Sequence, residues 1–87
     1  MTQYELDKLL GLAGDTPFLC YYSNDLYNEV KRLRAMALIA NFEGRGLGNI
    51  RSEYKDRNRQ FDLKDFFYIT DLGREYLRLR SELAQGE

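Results

Sequence analysis

Eighty-seven residues with 44% hydrophobic side chains allow one small domain around a single core, and seven Tyr and five Phe argue against wholesale disorder. No apolar run approaches a membrane span, and the polar start Met1-Thr2-Gln3-Tyr4-Glu5 does not read as a secretory signal. A lone Cys20 and the absence of His exclude an internal disulfide and the usual zinc ligand sets, which fits a reduced, cytoplasmic setting without metal or other cofactor. The net charge of −1 is unevenly spread: residues 1–30 sum to −4, residues 31–59 to +5 and residues 60–87 to −2. A basic middle between acidic ends suits a polyanion-facing surface, and a solvated Arg-rich hairpin is the plainer alternative.

Leu6, Leu9, Leu10 and Ala13 recur at helical spacing, which predicts a first helix from Thr2 to Ala13, closed by Gly14 ahead of the turn Asp15-Thr16-Pro17. Phe18 to Tyr22 is a short apolar and aromatic run, either a strand or a buried irregular segment. Ser23 can cap a second helix, 24–36, whose stripe Leu26, Val30, Leu33 and Ala37 faces the core. The opposite face is Asn24, Asn28, Lys31 and Ala35, flanked by Arg32 on one side and by Tyr27 and Arg34 on the other.

Leu38 to Phe42 leaves the helical period and reads as a strand. Gly44, Gly46 and Gly48 then break the chain, and residues 49–60 are so polar that they are expected to form a long loop. From Phe61 the period is two, with Phe61, Leu63, Phe67 and Ile69 inward and Asp62, Lys64, Phe66 and Tyr68 outward along one strand. Thr70 caps a last helix carrying Leu72, Tyr76, Leu79 and Leu83 in steps of four and three. That stripe fits either the domain's own core or the seam of a homodimer.

The segment LRAMALI, Leu33 to Ile39, resembles the end of the recognition helix and the start of the wing in bacterial winged-helix regulators of the MarR and PadR kind. FYITDLGREYL, Phe67 to Leu77, looks like the strand and helix start that close the same unit. The resemblance covers about half the chain. It implies one α+β winged-helix domain over residues 1–87, with three helices, three short strands in a small antiparallel sheet and a long wing hairpin. Two departures stand out. Ala37 occupies a position where the family has Gly, which implies a strained or different helix exit. Only about ten residues separate the first two helices, so the supporting helix of a helix-turn-helix has little room.

The same resemblance implies binding of duplex DNA without catalysis, as in a small transcriptional regulator. Asn24, Asn28, Lys31 and Arg32 would enter the major groove, where Asn pairs with adenine and Lys or Arg reads guanine or grips phosphate. Arg45, Arg51, Lys55, Arg57 and Arg59 would reach phosphates from the basic hairpin 45–59. A solvated helix face and a solubility loop are the bland readings of these same residues. The near-neutral total charge and the aromatic content favour a protein-interaction module as the alternative, with a small dimeric antitoxin or inhibitor behind it. Gly44-Arg45-Gly46-Leu47-Gly48 lacks the Lys-Ser/Thr ending of a phosphate-binding loop and is not expected to open a helix. Cys20 has no His to serve as its base, and Asp62 and Asp65 show no evident pocket, so no catalytic set is apparent.

Overall fold

The computed structural model describes residues 1–85. Among these the order is α1 (Gln3–Ala13), β1 (Leu19–Tyr21), α2 (Asn24–Ala35), β2 (Ile39–Asn41), α3 (Leu47–Tyr54), β3 (Gln60–Asp62), a 3-10 turn (Leu63–Asp65), β4 (Phe67–Ile69) and α4 (Asp71–Gln85). Two antiparallel ribbons result, β1 with β3 and β2 with β4, with Cys20 opposite Phe61 and Ala40 opposite Tyr68. The chain is thus an α+β domain of four helices and two two-stranded sheets among the described residues. No helix among them is long and apolar enough to cross a membrane.

The caps are local and sequence-encoded. The Thr2 hydroxyl accepts the Glu5 N–H and the Ser23 hydroxyl accepts the Leu26 N–H, each satisfying an amide that the first helical turn leaves open. Gly14 closes α1 in an extended conformation, so its freedom to turn left-handed is not used. α1 buries Leu6, Leu9 and Leu12, whereas Leu10 is exposed, so the stripe lies about a sixth of a turn from the expected one. α2 buries Leu26, Val30 and Leu33 as its spacing predicts.

Ala37 leaves that stripe because α2 ends two residues earlier, at Ala35. Its φ is +60°, and the Leu38 N–H reaches the Leu33 carbonyl while the Ala37 N–H reaches the Arg34 carbonyl. This is a Schellman closure with alanine in the left-handed position that glycine usually takes. Leu33 and Leu38, the apolar pair of that motif, are both buried and hold the exit in place.

Three expectations for the segment between β2 and α4 are overturned. Residues 47–54 form α3 and not a loop, because Leu47, Ile50 and Tyr54 at i, i+3 and i+7 give it an apolar face against the core. The single strand from Phe61 is two strands in different ribbons, separated by the 3-10 turn. That turn carries Phe66 inward, where it meets Phe61 edge-on at 5.8 Å beside Tyr54. Asp62 holds the break, accepting the N–H groups of Phe18 and Lys64 at 3.0 Å each. No long wing hairpin stands free: the segment between β2 and β4 folds back through α3 and pairs with β1.

Thr70 starts α4 and ties it to the end of α2. Its hydroxyl accepts the Gly73 N–H at 3.0 Å and donates to the Ala37 carbonyl at 2.6 Å. Gly73 is required there, since a Cβ would overlap the Leu38 carbonyl oxygen.

Candidate nucleic-acid interface

α2 is the element around which the charged residues are sorted. The flank facing α1 carries two ion pairs. Glu5 and Glu29 are buried acids, and each meets a cation across the helix pair: Arg32 Nε donates to Glu5 Oε1 at 2.6 Å, and Lys8 Nζ lies 3.5 Å from Glu29 Oε1. The hydrogen bond from Arg32 holds the Glu5 carboxyl below its ordinary range, with burial pulling the other way. Arg32 therefore does not belong to the predicted groove-reading face. It is the lid on a buried carboxylate.

The other flank faces α3, and the two helices run antiparallel. At one end an open cleft of about 730 Å³ is lined by Tyr27, Lys31 and Arg34 of α2 together with Asn41 and the Gly46-Leu47-Gly48 start of α3. At the other end a recess of about 420 Å³ joins Ser23 and Asn24 at the start of α2 to Lys55, Asp56 and Arg57 beyond α3. Gly48, Arg51 and Lys55 follow at i, i+3 and i+7, so Arg51 lies on the same side of α3 between the two recesses. Lys31, Arg34, Arg51, Lys55 and Arg57 are exposed, and none reaches a carboxylate within 4 Å among the described residues. Asp56 is an acid within that rim, and Glu53 shares a further recess with Arg57.

Of the nine residues singled out in the sequence, Asn24, Lys31, Lys55 and Arg57 line these recesses, and Arg51 joins them by helical spacing. Asn28 is exposed on the outward side of α2, one turn from Asn24. Arg45 and Arg59 are differently engaged. The Arg45 guanidinium sits 5.4 Å from the Phe66 ring and that of Arg59 5.7 Å from the Tyr54 ring, capping the aromatic cluster of Tyr54, Phe61 and Phe66. Arg34 joins the cleft although the sequence placed it only beside the reading face.

The glycine-rich segment does open a helix, contrary to expectation. Asn49 Oδ1 accepts the Gly46 N–H at 2.8 Å, which fixes the entry to α3. Residues 14–23 hold β1 and no helix, so α2 has no supporting helix directly before it. Cys20 is half-buried, and that burial pushes its thiol up, away from the reactive thiolate.

Comparison with protein-family models, with curated proteins and with solved structures gave no match.

Proposed function

We propose that this domain is a non-enzymatic duplex-DNA-binding protein, a variant of the winged helix in which α3 is inserted between the strands of the wing. The observation that carries the reading is the row of exposed cations without an acidic partner among the described residues, Lys31 and Arg34 at one end of the α2–α3 pair and Lys55 and Arg57 at the other. A major groove admits a single helix. α2 enters it with Asn24, Asn28 and Lys31 outward, and α3, lying alongside, sets Arg51, Lys55 and Arg57 against the phosphates of the adjoining strand. Backbone contacts of this kind orient the protein, and the two Asn side chains supply what base selectivity there is.

Fluorescence anisotropy with a mixed-sequence duplex, at low and at near-physiological salt, tests the proposal. The three phosphate contacts of Arg51, Lys55 and Arg57 give a log–log salt slope of about −2.7. Binding with that steep dependence supports the reading, and absence of binding at low salt refutes it. A protein partner is the second reading, favoured by Leu19 and Tyr21, which are exposed on the three-residue strand β1. Docking there changes little with salt.

A further inference from the structure

α4 docks on the domain through one narrow face. Gly73 lies on the Leu38 carbonyl, and Tyr76 and Leu77 pack against the core. Its leucine stripe is displaced sideways from that contact, leaving Leu72 54%, Leu79 47% and Leu83 75% exposed. The domain's own core takes up one edge of Tyr76 but does not account for the three leucines, which with Tyr76 follow the steps of four, three and four of a coiled-coil seam.

The charges beside the stripe discriminate between partners. With Leu72 and Leu79 at d and Tyr76 and Leu83 at a, Glu75 and Glu82 take the g positions, and Gly73 and Arg80 the e positions. In a parallel pair, g of one helix meets e five residues on in the other, so Glu75 faces Arg80 of the second copy, twice by symmetry. An antiparallel pair sets Glu75 against Glu82 and gives Arg80 only Gly73, which is already covered by its own domain. Arg78, on the outer side, bonds both Glu75 and Glu82 within the chain, and each carboxylate oxygen retains acceptor capacity for a second donor.

We infer that the stripe Leu72, Leu79 and Leu83 is the docking surface for a second copy of this chain, paired in parallel through α4 with Glu75–Arg80 contacts fixing the register. This association is independent of what the α2–α3 surface binds.

Sedimentation velocity over a concentration series of the full chain tests it. The wild type is expected to shift reversibly from monomer to dimer, and Leu79→Glu to raise the dissociation constant about tenfold or more, with circular dichroism verifying the fold. Glu75→Arg and Arg80→Glu, both at exposed positions, each weaken the dimer, and the double exchange restores it. Leu83→Cys in a Cys20→Ala background crosslinks on mild oxidation, because parallel a positions face each other. A monomer at every concentration, a dimer indifferent to Leu79→Glu, a double exchange that fails to restore, or no crosslink in a dimeric sample each overturns the proposal.

Discussion

The two flanks of α2 carry similar cations put to different use. On the α1 side Arg32 and the neighbouring Lys8 are spent on buried carboxylates, Glu5 and Glu29. On the α3 side Lys31 and Arg34 touch no acid among the described residues and open onto a cleft. The lesson is that charge type does not identify a binding residue; a cation with a buried partner is structural, and one without is available to a polyanion.

The strongest way to break this contrast is to remove the available cations together. Changing Lys31, Arg34, Lys55 and Arg57 to Ala is expected to weaken duplex binding about 10²–10³-fold at near-physiological salt, since each phosphate contact releases about one counterion. Thermal unfolding of the same variant should stay close to wild type, because exposed, unpaired cations hold little of the fold.

A smaller effect is expected on the partnered flank. Glu5→Gln removes a charge-assisted hydrogen bond and should cost about 1–2 kcal/mol of stability at neutral pH, read by denaturant titration. The pH dependence has a definite sign. Folding depresses the Glu5 carboxyl, so its contribution is present above the ordinary carboxylate range and is lost as pH falls through the depressed folded value. Wild type should therefore lose stability more steeply in acid than Glu5→Gln, and parallel acid curves would contradict the role given to Arg32.

The smallest effect lies where the two flanks meet, at the exit of α2. Ala37→Gly relieves a left-handed alanine against the extra entropy of glycine in the unfolded chain, so a gain of roughly 0.5–1 kcal/mol is expected. A loss of stability on calorimetry would show that the exit is not strained.

The partnered flank was largely hidden in the sequence, and the reason is physical. Glu5 sits at i, i+4 and i+7 with Leu9 and Leu12, and Glu29 between Leu26 and Leu33, so each acid occupies the apolar stripe. The spacing is visible, but a partner on another helix is not, and Arg32 consequently looked available. α2, its Ser23 cap and the Thr70 cap were legible because both rest on local hydrogen bonds and a strict helical period. α3 was missed because three glycines and a polar run outweighed the Leu47, Ile50, Tyr54 spacing, and its helix depends on packing against the Phe61–Phe66 cluster. The break at Asp62 was equally non-local, since its carboxylate collects the amide of Phe18 from the far side of the domain.

The central claim is tested most directly by placing Arg32→Ala beside the double change Lys31→Ala, Arg34→Ala, with duplex affinity and thermal midpoint measured on each. The predicted pattern is crossed: Arg32→Ala lowers the midpoint and leaves DNA affinity nearly unchanged, while the double variant loses affinity and keeps its midpoint. If both variants lose affinity equally, or neither does, the division of α2 into a structural flank and a binding flank is wrong.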